Sequence, residues 1–163
     1  MDVFLKEVDS YMEDIAIRVE NLNKTYGNLK AVDNLGFQVK KTECIGLLGP
    51  NGAGKSTTMK VIYGVSEPDD WQNTKINVFG LSPSLESQKI RALAGVVPQQ
   101  DNLDSELNVL DNLFVYAKFY GMSSRQAQKR IIELLEFMDL QEKAKARVQE
   151  LSGGMQRRLT IAR

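Results

Sequence analysis

With 163 residues, 42% of them hydrophobic and 26% charged, the chain can build a domain with a real core and has a globular composition. Lys plus Arg equals Asp plus Glu at 21 each, so no net field draws nucleic acid or an anionic membrane, and nucleic acid is not expected as a partner. The absence of histidine excludes every histidine-based catalytic or metal site, the single Cys44 excludes an internal disulfide, and no apolar run approaches the roughly 20 residues that span a bilayer.

Residues 1–14 read as a leader, acidic and without the apolar run of a signal peptide, with Val3, Phe4 and Leu5 as candidate packing anchors. Ile15 to Glu20 alternates as a strand, Gly27-Asn28 is a hairpin-type turn, and Ala31 to Val39 continues as a second strand with a break near Gly36. Cys44-Ile45-Gly46-Leu47-Leu48 has the continuous apolar character of a buried parallel strand, which would make Cys44 a buried, inert thiol. Thr57 to Tyr63 predicts a helix that stops at Gly64.

Further on, Val65 to Lys75 is a polar turn segment, Ile76 to Phe79 a short strand, and Pro83 to Arg91 a short helix with Ser84 as its cap. Gly95-Val96-Val97-Pro98 reads as another buried strand. From Asn108, which can cap with Asp111 at the third position, Leu110, Leu113, Phe114 and Ala117 recur at helical spacing until Gly121. Ser123 and Gln126 form the S-x-x-Q box that opens another helix, with Ala127, Ile131, Leu134, Leu135 and Met138 as its buried stripe; a shorter helical piece spans Gln141 to Arg147.

One stretch carries chemistry. Gly49-Pro50-Asn51-Gly52-Ala53-Gly54-Lys55-Ser56-Thr57 matches G-x-x-x-x-G-K-[ST], between a predicted strand and a predicted helix. The glycines allow close backbone approach to a phosphate, consecutive N–H groups and the positive helix end attract the anion, Lys55 adds a point charge for the outer phosphates, and the Ser56 hydroxyl can ligate Mg²⁺. Tyr26 is either a half-buried packing aromatic or a stacking surface for a purine. Gln99 is either a solvated loop residue or a side chain that reaches Mg²⁺ and the outer phosphate, with Gln100 as the second candidate. Ser152-Gly153-Gly154 opens a final helix and supplies a second anion site: a capping hydroxyl, bare N–H groups and a helix dipole.

Taken together, Gly49 to Thr57 and Leu151-Ser152-Gly153-Gly154-Met155 make the chain resemble the ATP-binding subunit of an ABC transporter over roughly residues 15–163. The first stretch is similar to that family's Walker A loop and the second to its signature motif. The wording of both is most similar to exporters of the drug, polysaccharide and nodulation-factor type. The resemblance implies an α/β fold: a P-loop NTPase, RecA-like core with an antiparallel β subdomain and an α-helical subdomain. It divides the chain into a leader (1–14), a β subdomain with the P-loop (about 15–98), a helical subdomain (about 99–150) and the signature motif with its helix (151–163). It also implies ATP and Mg²⁺ as cofactors, adenine stacking by Tyr26, and Mg²⁺ contacts from Ser56 and from Gln99 of the Q-loop. Further implications are a head-to-tail homodimer in which Ser152, Gly153 and Gly154 cover the partner's ATP, and docking of the helical subdomain and Q-loop on a transmembrane permease at the cytoplasmic face of the inner membrane.

Three departures qualify the resemblance. Met155 stands where Gln is usual. The turn Asp69 to Lys75 lacks glycine and is longer by about three residues, which predicts a bulged hairpin with Trp71 partly exposed. The family's Walker B strand with its Asp-Glu, and its switch histidine, do not occur before Arg163; Glu136-Phe137-Met138-Asp139 lies within an amphipathic helix. The C-terminal part of the core and the catalytic residues are therefore expected outside these residues, which by themselves should bind ATP weakly without turnover. Two other readings are open: a nucleotide-binding or interaction module without turnover, and a soluble cassette protein acting on ribosomes.

Overall fold

The computed structural model describes residues 14–100 and 102–163, so nearly all of the leader, with its anchors Val3, Phe4 and Leu5, lies outside the described residues. The chain divides into two compact units, one ending at Gly95 and the other spanning Val96–Arg163.

The first unit is built on a hairpin. β1 (Ile15–Tyr26) and β2 (Leu29–Lys40) pair antiparallel through the turn at Gly27-Asn28, and β3 (Lys75–Val78) pairs antiparallel with the other side of β1, giving the order β2-β1-β3. Both long strands run further than their alternation predicts, because register shifts between Val19 and Thr25 keep the ladder going where the pattern falters. Helix α1 (Lys55–Ile62) and helix α2 (Pro83–Leu93) complete the unit. Its core joins Val19, Leu22 and Val32 of the hairpin to Val61 and Ile62 of α1, Ile76 and Val78 of β3, and Ile90 of α2. Trp71, half-buried as the sequence predicts, packs against this core.

Three expectations fail here. Cys44 to Leu48 is not a strand: no ladder partner reaches it among the described residues, Leu48 is 95% exposed, and Cys44 is exposed rather than buried. Val96 and Val97 likewise lie outside any sheet, at 53% and 43% exposed. A β-strand is defined by its neighbours, and an apolar run without one has only its sequence character. The N-cap of α2 is Ser82, not Ser84; the two hydroxyls hydrogen-bond each other at 2.8 Å.

The second unit is helical. α3 (Val109–Phe119), α4 (Ser124–Phe137) and α5 (Gly153–Ala162) enclose a core of Val109, Leu113, Ala127, Ile131, Leu135, Leu140, Val148, Leu151 and Leu159. Asn108 caps α3 by accepting the Asp111 N–H at 2.8 Å, and Ser123 with Gln126 makes the reciprocal box at the start of α4, both as predicted. On α3 the buried face differs from the prediction: Leu110 is exposed and Asn112 takes the interior place. It can do so because its amide accepts the Asp104 N–H at 2.9 Å and donates to the carbonyls of Asp104 and Asn108 at 3.0 and 3.1 Å. The predicted helical piece at Gln141 to Arg147 shrinks to a 3₁₀ turn at Gln141–Lys143.

Candidate nucleotide-binding site

The loop Gly49–Thr57 keeps its shape through its glycines. Gly52 and Gly54 have φ of 87° and 76°, the left-handed region that side chains avoid. At Gly54 a second constraint applies: a Cβ there would sit 2.2 Å from the Ala31 carbonyl oxygen and 3.0 Å from Val32 Cγ2. Gly54 is also the N-cap of α1 and offers no side chain to the first turn, so the N–H groups of Lys55, Ser56 and Thr57 lack a capping acceptor. Pro50 and Ala53 close a turn through the Ala53 N–H at 3.2 Å, with Asn51 exposed at its apex.

The Lys55 ammonium folds back over the loop and donates to the Gly49 and Pro50 carbonyls at 2.7 and 2.6 Å. An ammonium has three donors, so one remains for an incoming anion. The arrangement of uncapped helix N–H groups, a positive helix end and a held cation suits a phosphate chain. Ser56, exposed one residue further on, offers a neutral oxygen of the kind Mg²⁺ accepts. Among the described residues no cluster of three or more His, Cys, Asp or Glu gathers, so a Mg²⁺ here would draw the rest of its shell from phosphate oxygens and water.

Tyr26 lies at the end of β1, 48% exposed, with Lys24 Nζ 5.2 Å from its ring centroid. Its hydroxyl lies 3.5 Å from Ser66 Oγ. The Ser66 bond, opposed by partial desolvation and assisted by Thr57, Lys24 and Lys60, lowers the Tyr26 hydroxyl below its ordinary value. Tyr26 and the loop both belong to the first unit.

Gln99 and the Ser152 stretch belong to the second unit. Gln99 is exposed in a bend directly after Pro98, whose carbonyl accepts from Arg157 of α5 at 2.6 Å. Ser152 is the N-cap of α5 and accepts the Met155 N–H at 3.3 Å; Gly153 and Gly154 are exposed, with open space where a Cβ would stand. Gln156 holds the approach to this turn by donating to the Val148 and Leu151 carbonyls at 3.0 and 3.3 Å. The sequence offers these residues as candidates but does not offer the neighbours that hold Tyr26 and Thr25. Ser66 and Asp69 read only as turn residues, since nothing local says which strand a turn will grip.

The fold and this loop have known counterparts. A family description, ABC transporter, matches residues 32–163. The chain is similar to the Nod factor export ATP-binding protein I of Paraburkholderia xenovorans, 47% identical over 152 residues covering 93% of this chain and 49% of that protein. It is equally similar to the protein of the same name from Rhizobium etli, 47% identical over 155 residues, covering 95% of this chain and 48% of the relative. The chain thus spans about half the length of the curated relatives it matches. Among solved structures, cbiO1 from Clostridium perfringens, part of an ABC transporter complex, superposes with a TM-score of 0.79 at 26% identity over 92% of this chain and 61% of that one. A dimeric ATP-binding cassette in a post-hydrolysis state bound to ADP and Pi has a TM-score of 0.71 at 28% identity over 90% and 67% of the two chains. The loop at Gly49–Thr57, the match over 32–163 and the shared fold agree: the chain belongs to the ABC transporter family.

Proposed function

We propose that these residues are the ATP-binding portion of a cassette that powers export through a membrane-embedded partner. The observation that carries the reading is the uncapped start of α1, with left-handed Gly52 and Gly54 in front of it and Lys55 held across the loop. The loop N–H groups bind the phosphates, Lys55 exchanges its hold on the Gly49 and Pro50 carbonyls for the outer phosphate, and Tyr26 stacks on adenine. Ser56 and Gln99 would hold Mg²⁺, which when bound offsets the charge of the outer phosphates.

A second copy of the chain, arranged head to tail, lays Ser152, Gly153 and Gly154 over the bound ATP, so that ATP binding favours the closed dimer and its loss releases it. The helical subdomain and the Q-loop at Gln99 take up the membrane partner. No helix among the described residues is long and apolar enough to cross a membrane. The proposal puts the chain at the cytoplasmic face of the inner membrane. The names of the Nod factor export relatives support export as the direction of transport.

Titrating the 163-residue chain with ATP tests this. Binding should be measurable and should fall at least about tenfold in Lys55→Ala, the loss of one charge-assisted contact. Equal affinity in the two proteins would refute the reading. No residue within the chain is assigned to bond cleavage, so phosphate release should not exceed that of Lys55→Ala.

A further inference from the structure

We propose that Asp69, in the unusual turn after α1, is a positioning residue that sets the Tyr26 ring for base stacking and so gives the site its preference for a nucleotide over a bare polyphosphate. The inference rests on the ATP-site reading above and extends it to residues outside both motifs.

The geometry is specific. Asp69 Oδ1 accepts the Thr25 N–H at 2.9 Å, fixing the residue immediately before Tyr26. The same carboxylate oxygen lies 3.8 Å from the ammonium of Lys24, which in turn lies 5.2 Å from the Tyr26 ring centroid. From the other direction, the Asp69 N–H donates to the Asn23 carbonyl at 2.9 Å. Three residues earlier in the same segment, Ser66 meets the Tyr26 hydroxyl. The segment 66–69 therefore grips β1 at Asn23, Lys24, Thr25 and the tip of Tyr26, in a stretch where the β1–β2 register shifts twice and the ladder alone fixes the chain weakly.

A second layer holds Asp69 itself in place. Asp70 accepts the Gln72 N–H at 2.7 Å and an Asn73 amide hydrogen, and the Thr74 N–H donates to the Asp70 carbonyl at 3.1 Å, so the glycine-free turn is braced by its own carboxylate. The Thr25 N–H bond also holds the Asp69 carboxyl below the usual range, with Lys24 and Lys30 adding to it, so Asp69 is ionised at neutral pH. With the Lys24 ammonium near the ring and the hydroxyl tied at the edge, the ring is oriented before any ligand arrives, and nearly half its surface stays open. Preorganisation of this kind reduces the ordering cost of binding.

The test compares ATP with inorganic tripolyphosphate on the 163-residue chain, by calorimetry, in Asp69→Ala, Asp69→Asn and Lys55→Ala. Asp69→Ala should weaken ATP about tenfold, as loss of one base–aromatic stack does, and leave tripolyphosphate within about twofold. Asp69→Asn keeps an acceptor for the Thr25 N–H and should recover part of the ATP affinity. Unchanged ATP affinity in Asp69→Ala, or an equal loss for both ligands, overturns the proposal; an equal loss means a general defect of the unit. Failure of the underlying site reading is separable, since there Lys55→Ala would leave both ligands unaffected.

Discussion

At Gly54 a single residue type satisfies three demands: left-handed φ, close approach to the Ala31 carbonyl, and an N-cap without a side chain. Gly54→Ala must move backbone as well as adopt a left-handed conformation, so it should destabilise the first unit by at least about 1–2 kcal/mol, the cost of the left-handed conformation alone. Urea midpoints followed at Trp71 measure this, and ATP binding should disappear in the same variant. Asp69 gives a pH signature at the same scale. Its carboxyl titrates lower in the folded protein because Thr25 hydrogen-bonds the ionised form, with Lys24 and Lys30 nearby. A depressed folded-state value contributes stability that is fully present above the unfolded value of about 3.9 and is lost as pH falls through the lower folded one. Wild type should therefore lose stability below about pH 4 more steeply than Asp69→Asn; equal slopes in acid unfolding would contradict this.

Elements differ in how much of them the sequence can specify. Caps and turns are local: Asn108 with Asp111, Ser123 with Gln126 and the Gly27-Asn28 turn all form as their residue patterns predict, because each needs only neighbours within a few positions. The loop at Gly49–Thr57 is legible for the same reason. The run Cys44 to Leu48 was legible only as apolar character; its strand state depends on neighbours that no local pattern contains. The exposed Cys44 makes this measurable: a maleimide should modify it in the native chain at a rate within about threefold of that in urea, whereas a thiol paired into a buried strand would be protected by orders of magnitude. Asn112 illustrates the opposite error. Helical spacing counts it as polar and therefore outward, yet it is buried because the loop before α3 presents backbone groups to it. Asn112→Leu leaves the Asp104 N–H and the carbonyls of Asp104, Leu107 and Asn108 without that partner and should lower the stability of the second unit by about 1–3 kcal/mol, read as the loss of helical ellipticity in urea.

On the scale of the whole molecule, the two units have separate hydrophobic cores, one built from β1–β3, α1 and α2, the other from α3, α4 and α5. The proposed site residues divide along the same line: the loop and Tyr26 belong to the first unit, Gln99 and Ser152 to the second. Coincident transitions by all probes are the mark of one cooperative core, and two cores relax that requirement. The chain carries its own reporter for the distinction, because its single tryptophan, Trp71, packs on the first core, while the longest helix among the described residues, α4, belongs to the second. Urea unfolding followed by Trp71 fluorescence and by helical ellipticity should give two midpoints rather than one. ATP should raise the fluorescence midpoint, since the loop and Tyr26 belong to the unit that Trp71 reports. The ellipticity midpoint should move less, because ligand linkage stabilises the unit that binds. Lys55→Ala should abolish the shift in fluorescence without moving the ellipticity curve. A single midpoint that ATP raises equally for both probes would mean that the two cores unfold as one.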